Sequence, residues 1–457
     1  MATYLIAATA MPGHVLPMLA IGRHLAGLGH RVLVHTASQF RSQVEAVGAT
    51  LAPFDPAIDH DYRTLESRHP AWRQMPGGHA RLCYGLRHFF ADAMAPQLAG
   101  LRALLAAEPV DAILVDTMFC GALPLLLGPR AARPPVLAVG ITALSLSSCD
   151  TAFFGTALAP SATLEGRVRN LAMNGNLKRA MFGPLQQYFD QRLAELGAPA
   201  LPDFVLDALI KLPDRYLQLT AAEFEYPRSD LPPSVRFVGP LAPPAGRQFE
   251  APSWWPELDD GRPVVLVTQG TLANDDPGQL ILPTLEALAG RDDLQVIATT
   301  GGPVPGQLAA LPPNARIVPF VPYDRLLPKV AVMVTNGGYG AVNHALSLGV
   351  PLVVAGASEE KPEIAARVAW SGAGINLGTG KPGTRQLAQA VHSVLAEPRY
   401  RQHAAELRGH FARCNALASI TDELRALQAR ATAADHRPTT ITETETETET
   451  ETEGVTA

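Results

Sequence analysis

The chain has 457 residues, and at about 100 to 200 residues per domain this length predicts two or three domains. Hydrophobic residues make up 47% of the chain and charged residues 18%, which excludes disorder over most of its length. The net charge is −6 and Lys and Arg form no cluster, so neither a nucleic acid nor an anionic membrane surface is an expected partner.

Cysteine spacing and apolar runs indicate the compartment. The four cysteines lie far apart without a Cys-x-x-Cys pair, which argues against a disulfide framework and a zinc site. The apolar N-terminus has no basic residue before it and is cut short by residues 12–14, unlike a secretory signal. No uncharged apolar run reaches the ~18 residues that a membrane span requires. We therefore expect a soluble, cytoplasmic protein without stable membrane insertion.

Strand and helix signals alternate along the first half of the chain. Residues 4–8 form a short apolar run that predicts a strand, residues 12–14 predict a turn, and residues 15–27 carry apolar side chains at helical spacing. Residues 31–36 and 111–115 are further short apolar runs of the kind that parallel sheets bury. This half of the chain is therefore expected to be an α/β domain.

A second α/β unit is expected after a segment dense in proline and glycine. Residues 153–217 are rich in helix signals and predict a cap over the first domain. Residues 240–263 contain six prolines and two glycines, which is typical of a linker. After it, helical segments such as residues 281–289 separate a second set of strand-like runs. These runs are residues 264–268, 295–299, 331–335 and 351–355.

Two glycine-rich segments are candidate phosphate-binding turns. Residues 336–340 follow a strand-like run and open a helix, so their N–H groups and the helix dipole favour phosphate, although a plain tight turn is the alternative. Residues 378–383 match G-x-G-x-x-G, but Pro382 removes a needed N–H group and the motif lies late in the second unit. We therefore exclude the second segment as a dinucleotide fingerprint.

Charged residues near strand ends are candidates for catalysis. His14 follows the first strand and Asp116 ends another, so the carboxylate could orient the imidazole as a general base, whereas a loop histidine and a helix N-cap are the alternatives. Glu359, Glu360 and Lys361 follow a strand-like run and could bind sugar hydroxyls, or could form a solvated turn.

Motifs spread over nearly the whole chain resemble the family 1 glycosyltransferases, which include bacterial macrolide glycosyltransferases and UDP-glycosyltransferases. Gly13-His14-Val15, leading into Pro17 and on to Gly29-His30, resembles the opening of that family. The segments of the second half that follow the family's order are Gln269-Gly270-Thr271, Phe320-Val321-Pro322-Tyr323, Asn336-Gly337-Gly338, Gly349-Val350-Pro351-Leu352 and Ala365-Ala366-Arg367-Val368.

The resemblance implies the GT-B fold, in which two Rossmann-like domains face each other across a cleft. It implies an acceptor-binding domain at residues 1–239, the linker at 240–263 and a nucleotide-sugar-binding domain at 264–403. C-terminal helices at 404–431 would return to the first domain. Residues 432–457, a low-complexity Thr-Glu tract, are expected to be disordered.

The resemblance also assigns site residues. His14 would be the catalytic base and Asp116 its carboxylate partner, with no metal and no cofactor, since the nucleotide sugar is a substrate. The expected donor-binding residues are Thr271, Val321, Asn336, Gly337, Gly338, Tyr339, Gly340, Glu360 and Lys361. The expected acceptor-binding residues are Met75, Phe89, Phe119 and Phe153.

Three positions differ from the family pattern and leave the donor open. Asn336 stands where many members have a histidine, His344 aligns with a ribose-binding glutamate, and Glu360-Lys361 aligns with an Asp-Gln pair on the donor sugar. The resemblance implies an inverting enzyme, monomeric or homodimeric, that moves a sugar from a UDP- or dTDP-sugar to a hydroxyl of a small hydrophobic acceptor such as a polyketide, macrolide or phenolic compound. A nucleotide-sugar epimerase and a catalytically silent auxiliary protein are the alternatives.

Overall fold

The computed structural model describes residues 1–76, 78–241, 249–270, 276–304, 306 and 311–435. The strands of these residues are β1 (Thr3–Ala7), β2 (Arg31–Thr36), β3 (Thr50–Pro53), β4 (Ala112–Asp116), β5 (Val136–Gly140), β6 (Arg215–Gln218), β7 (Val235–Phe237), β8 (Val264–Thr268), β9 (Gln295–Thr299), β10 (Ala315–Val318), β11 (Val330–Thr335), β12 (Leu352–Val354) and β13 (Gly374–Asn376).

The helices surround these strands. They are α1 (Pro12–Gly27), α2 (Arg41–Ala46), α3 (Leu65–Arg68), α4 (Pro70–Gln74), α5 (His79–Gly85), α6 (Met94–Ala107), α7 (Leu123–Leu127), α8 (Leu164–Ala180), α9 (Gly183–Glu195), α10 (Val205–Lys211), α11 (Ile281–Ala287), α12 (Tyr323–Leu326), α13 (Tyr339–Ser347), α14 (Lys361–Trp370), α15 (Thr384–Ala396), α16 (Pro398–Phe411) and α17 (Ala416–Asp435).

The strands form two separate parallel sheets. The first sheet has the order β3-β2-β1-β4-β5-β6-β7, and the second has the order β10-β9-β8-β11-β12-β13. In each sheet the chain begins at a central strand, β1 or β8, and adds the next two strands on one side. It then crosses to the other side, so the strand order reverses at β1/β4 and at β8/β11. Ligands of doubly wound folds bind at the carboxyl ends of the strands beside such a reversal. The predicted α/β class with two Rossmann-like domains is confirmed.

Helix α1 starts earlier than the sequence predicts. Residues 12–14 were expected to form a turn, but α1 begins at Pro12, so His14 lies on its first turn. Proline is well accommodated at the first helical position because its missing N–H group would have no partner there. The imidazole is therefore carried by a rigid helix that starts directly behind strand β1.

The predicted linker is partly built into the second domain. The hydrophobic core of the first domain is called the first core, and that of the second domain the second core. Within residues 240–263, Leu258 is buried in the second core, and Trp254 and Trp255 pack against that core. Burial of these large apolar side chains stabilises one fixed conformation of the segment. This gain outweighs the tendency of a proline-rich segment to form a flexible linker. The segment at residues 242–248 lies outside the described residues.

The two C-terminal helices divide between the domains. Ala404, Leu407 and Phe411 of α16 are buried in the second core, whereas Ile420 and Leu424 of α17 are buried in the first. The chain thus crosses between the domains at residues 412–415, later than the predicted boundary at residue 404. The reason is that α16 is one continuous helix whose apolar face packs on α13.

The end of α17 corrects the predicted tail and allows a truncation test. The helix runs to Asp435, so residues 432–435 are helical, while residues 436–457 lie outside the described residues. Leu424 and Leu427 contribute the last buried side chains of this helix in the described residues. Because the Thr-Glu tract offers no apolar face to bury, deleting residues 436–457 should leave the Tm within about 1 °C of the parent's. A larger fall in a thermal melt would show that the tract docks on the folded chain.

No helix in the described parts of the chain is both long enough and apolar enough to cross a membrane.

Candidate active site

His14 and Asp116 meet at the carboxyl ends of β1 and β4. Nδ1 of His14 lies 2.7 Å from Oδ1 of Asp116, and the side chain of Asp116 is fully buried while that of His14 is 17% exposed. A carboxylate only accepts hydrogen bonds, so Nδ1 carries the proton and Nε2 keeps a free lone pair. Nε2 of His14 has no hydrogen-bond partner among the described residues. The pair therefore has the arrangement of a general base and the carboxylate that orients it.

The backbone holds Asp116 in place. Oδ2 accepts a hydrogen bond from the N–H of Thr9 at 2.6 Å, and Oδ1 accepts one from the N–H of Met118 at 2.9 Å. Thr9 follows β1, and Met118 follows Asp116 in a tight turn. Both carboxylate oxygens are thus occupied, which leaves the side chain one orientation.

The charges of the site raise the pKa of His14. Burial alone would lower this pKa, but the charge and hydrogen bond of Asp116 outweigh burial, and Glu360 and Glu359 shift it further upward. For Asp116, burial would raise the pKa, whereas His14 and the N–H groups of Thr9 and Met118 lower it below its usual range. Glu359 and Glu360 lie in the second domain, so carboxylates of both domains favour the protonated form of His14.

Two loops of the second domain contact each other at the carboxyl ends of β8 and β11. The side-chain amide of Asn336, after β11, donates a hydrogen bond to the carbonyl of Gln269, after β8. Gln269 in turn accepts hydrogen bonds from the N–H groups of Leu280 and Ile281 at 3.2 and 2.9 Å and so caps α11. Asn336 therefore braces the two loops against each other.

The glycine-rich turn leads into α13 as predicted. Gly337 has φ +88°, a conformation that favours glycine, and a Cβ there would lie 3.0 Å from Val354. Helix α13 begins at Tyr339, immediately after this turn. The first N–H groups of an α-helix have no intrahelical acceptor and carry the positive end of the helix dipole. This turn can therefore hold an anionic diphosphate.

Known proteins with similar sequences share this architecture. The family model of the erythromycin biosynthesis protein CIII-like C-terminal domain matches residues 283–427. The 4'-demethylrebeccamycin synthase of Lentzea aerocolonigenes is 43% identical over 430 residues, covering 93% of this chain and 99% of that protein. UDP-glycosyltransferase 2 of Phaeomoniella chlamydospora is 38% identical, covering 93% of this chain and 95% of that protein. The chain belongs to the family 1 glycosyltransferases.

The fold of this glycosyltransferase also matches solved structures. The glycosyltransferase of kitacinnamycin superposes with a TM-score of 0.70 at 22% identity, covering 93% of this chain and 99% of that one. The predicted GT-B fold is therefore confirmed. The enzyme transfers a sugar from a nucleotide sugar, which is its substrate and not a cofactor, to an acceptor. The alternatives of an epimerase and a silent auxiliary protein find no support in these relatives.

The predicted acceptor-binding residues of the glycosyltransferase separate into two groups. Phe119 packs in the first core against His35 and Phe54, and Phe153 is buried in a cluster with Phe182 and others. Neither side chain is open to an acceptor, which differs from the prediction, because burial of an aromatic ring in each core is more favourable than exposure in a cleft.

The other two acceptor candidates remain partly exposed. Phe89 contacts the rings of His69 and Trp72, and Met75 lies in the same segment. The sequence did not single out Phe90, whose ring centroid lies 6.1 Å from that of His14. Phe90 sits in a π-helical turn at residues 86–91, and its position next to Phe89 was the only signal that could have suggested it.

Two predicted donor-binding side chains are occupied elsewhere, and a third lies outside the described residues. Tyr339 is buried, and its hydroxyl accepts a hydrogen bond from Gln218 of the first domain at 2.6 Å. Val321 is buried in the second core. For both residues only the backbone can face the donor, because the side chains are needed for packing. Thr271 falls outside the described residues.

Glu360 and Lys361 lie where α14 begins. Burial and the charge of Glu359 raise the pKa of Glu360 above its usual range. Lys361 is buried, and its ammonium pairs with Glu359 and lies 3.4 Å from the hydroxyl of Ser358. The backbone of Gly356 packs closely against Lys361, because a Cβ at residue 356 would lie 2.7 Å from the Cβ of Lys361. Because Glu360 and Lys361 are predicted donor-binding residues, we call residues 356–361 the donor turn.

One group of possible metal ligands lies in the first domain. Among the described residues, Cys149, Asp150 and Asp230 bring their ligand atoms within 4.8 Å of one another. Asp150 already binds Arg167 and the N–H of Ser229, and Asp230 binds Ser148 and the N–H of Cys149. Both carboxylates therefore already accept hydrogen bonds from protein donors, and these bonds hold the neighbouring turns in place.

Proposed function

We propose that this glycosyltransferase inverts the sugar configuration in a single displacement, with His14 as the general base. Nε2 of His14 removes the proton of an acceptor hydroxyl while that oxygen attacks the anomeric carbon from the side opposite the nucleotide. Asp116 stabilises the imidazolium that forms. The observation that supports this proposal is the 2.7 Å contact of the buried Asp116 with Nδ1, which leaves Nε2 of His14 without a partner among the described residues.

The departing diphosphate is assigned to the turn at residues 336–340. Its N–H groups and the N-terminus of α13 can stabilise the negative charge that develops as the glycosidic bond breaks. We propose a pyrimidine nucleoside diphosphate, UDP or dTDP, as the carrier of the sugar. The acceptor is proposed to be a small hydrophobic compound of the polyketide, macrolide or phenolic class, which would pack on aromatic side chains such as Phe90.

Release of nucleotide from a panel of donors tests this proposal. UDP-glucose, dTDP-glucose and dTDP-rhamnose would each be offered with a flavonoid, a macrolactone and an indole aglycone, and free UDP or dTDP would be measured. We expect acceptor-dependent release, and NMR of the product from an α-linked donor should show a β-linked sugar. Retention of the α configuration would contradict the single displacement, and no release with any pair would contradict the assigned substrates.

The donor turn yields a prediction about sugar recognition. If the carboxylate of Glu360 accepts hydrogen bonds from sugar hydroxyls, Glu360→Ala should lose roughly 1 to 3 kcal/mol in kcat/KM with a hydroxylated donor. The loss should be smaller with the donor that is deoxygenated at the contacted position. The neighbouring Glu359, whose side chain is 60% exposed, provides a control. Glu359→Ala should affect both donors equally, and equal losses for Glu360→Ala would exclude a direct contact with the sugar.

A further inference from the structure

Helix α14 connects the donor turn to the first domain. Glu363, less than one helical turn after the donor turn, directs its carboxylate out of the second domain. Oε1 accepts hydrogen bonds from the N–H groups of Gly155 and Ala157, both at 2.7 Å. These two residues lie in the loop of residues 141–163 between β5 and α8, which we call the β5–α8 loop. One carboxylate oxygen thus holds the middle of this loop.

A second contact from the same helix holds the start of the loop. Arg367 donates hydrogen bonds from Nη1 to Oε2 of Glu363 and from Nε to Oε2 of Glu225, each at 3.0 Å. Its Nη2 also donates to the carbonyl of Leu144 at 3.3 Å. Oε1 of Glu225 accepts the N–H of Leu144 at 2.8 Å. The β5–α8 loop is therefore bound to α14 at two separate places.

The burial of these charges argues for a role in orientation. The side chains of Arg367, Glu225 and Glu363 are 1%, 0% and 5% exposed. Removing ions from water costs several kcal/mol each, so a buried ion pair is a poor source of stability, and its best-established use is to fix one arrangement over others. Every carboxylate oxygen in this cluster has a donor, so the arrangement is fully specified.

Backbone strain lies at both ends of the connection. Among the described residues, the only non-glycine residues with positive φ are Ala157, at 54°, and Glu359, at 57°. A left-handed conformation costs such residues about 1 kcal/mol or more and persists only where the surroundings enforce it. Ala157 donates to Glu363, and Glu359 lies in the donor turn directly before α14. The strain therefore coincides with the two segments that α14 joins.

We propose that Glu363 is a positioning residue, which fixes the β5–α8 loop of the acceptor-binding domain against the donor turn and so aligns the acceptor hydroxyl with the sugar. This inference rests on the proposed function. Transfer depends on alignment of two bound substrates, where a shift of about 1 Å can cost roughly 100-fold in rate. Hydrolysis of the donor by water needs no aligned acceptor. Loss of Glu363 should therefore affect transfer more than hydrolysis.

Two variants of Glu363 separate its contacts, and a third variant is the control. Glu363→Ala removes both contacts with the loop and the pair with Arg367. Glu363→Gln keeps an oxygen that can accept from Gly155 and Ala157 but loses the charge opposite Arg367. The control is Asp214→Asn, since Asp214 also binds arginine side chains, those of Arg130 and Arg133, and the backbone N–H group of Val136. Asp214 lies at the amino end of β6, whereas the β5–α8 loop follows the carboxyl end of β5.

Hydrogen exchange of the ligand-free protein measures the connection itself. In Glu363→Ala we expect at least about tenfold faster exchange for the peptide of residues 153–158, with parent-like rates in Asp214→Asn. Glu363→Gln should retain most of the protection, because its side-chain oxygen can still accept the two N–H groups. Unchanged exchange in Glu363→Ala would overturn the proposed hold on the loop.

The ratio of sugar transfer to donor hydrolysis measures the positioning role. With UDP-glucose and the aglycone that the parent enzyme glycosylates, Glu363→Ala should lower this ratio about tenfold and Glu363→Gln less than threefold. Asp214→Asn should leave the ratio within twofold of the parent's, even if its Tm falls as far as that of Glu363→Ala. A parent-like ratio in Glu363→Ala, or an equal fall in Asp214→Asn, would overturn the positioning role. Failure of the proposed function is distinguishable, since the parent itself would then transfer no sugar.

Discussion

Replacing His14 with alanine is expected to lower kcat about 100-fold or more, the usual scale for loss of a general base. Asp116 orients the imidazole through Nδ1, so that Nε2 is left to accept the proton. Binding of the nucleotide sugar should be nearly unchanged, because the diphosphate is assigned to the turn at residues 336–340 in the other domain. Steady-state kinetics and a titration with UDP or dTDP would separate these two effects.

His24 provides the matched control for this substitution. It lies on the same helix, α1, and its Nε2 is 3.0 Å from the hydroxyl of Thr421 on α17, away from Asp116. His24→Ala should therefore keep kcat within about twofold of the parent's, apart from any loss of stability. Near-normal turnover of His14→Ala would remove His14 from the mechanism.

Replacing Asp116 with asparagine is expected to lower kcat roughly 10- to 100-fold, a part of what a general base contributes, and to shift the pH dependence of kcat/KM. The base must be neutral to accept a proton, so kcat/KM falls as pH drops through the pKa of His14. Asp116 raises that pKa above its ordinary value of about 6.5. Without the carboxylate charge the pKa of His14 should decrease, and the acidic limb should move to lower pH.

The asparagine variant also changes the bonds around it. The NH2 group of the asparagine must face either the N–H of Thr9 or the donors that contact Oδ1 of Asp116. Because a donor then faces a donor, we expect a cost of about 1 to 3 kcal/mol in unfolding free energy. Asp111→Asn is the control, because Asp111 accepts the N–H of Thr3 at 2.7 Å at the opposite end of the same strand pair. An acidic limb that stays in place in Asp116→Asn would contradict the assigned role of the carboxylate.

The long apolar strands could be predicted from the sequence, whereas the short edge strands could not. Strands β8 and β9 have the predicted bounds, because continuous apolar runs mark strands that a parallel sheet buries on both faces. Strands β7 and β10 each include an arginine and lie at the edges of their sheets. Their pairing depends on the neighbouring strand, so they carry little signal of their own.

The pairing of His14 with Asp116 could be predicted, but not the direction of the surrounding rings. His14 and Asp116 follow neighbouring strands, and parallel topology brings such residues to one edge. Phe119 lies only three residues after Asp116 and yet points into the first core. Which side a ring faces in an irregular segment depends on contacts such as that with Phe54, and no periodic pattern records them.

Contacts between the domains could not be predicted from either half alone. Arg367 and Glu225 are separated by 142 residues, and Tyr339 and Gln218 by 121. Each of these residues, taken singly, resembles an ordinary surface or helix residue. Their burial results only from the way the two sheets face each other, which is a property of the assembled fold.

A double-mutant cycle of His14 and Asp116 tests the central assignment most directly. The measurement is kcat/KM of the parent, His14→Ala, Asp116→Asn and the double variant, with the same donor and acceptor. If the two residues act as one base, the double variant should be about as impaired as His14→Ala, because the carboxylate acts through the imidazole. If instead the two losses multiply, the residues act independently, and the dyad is not the base of this glycosyltransferase.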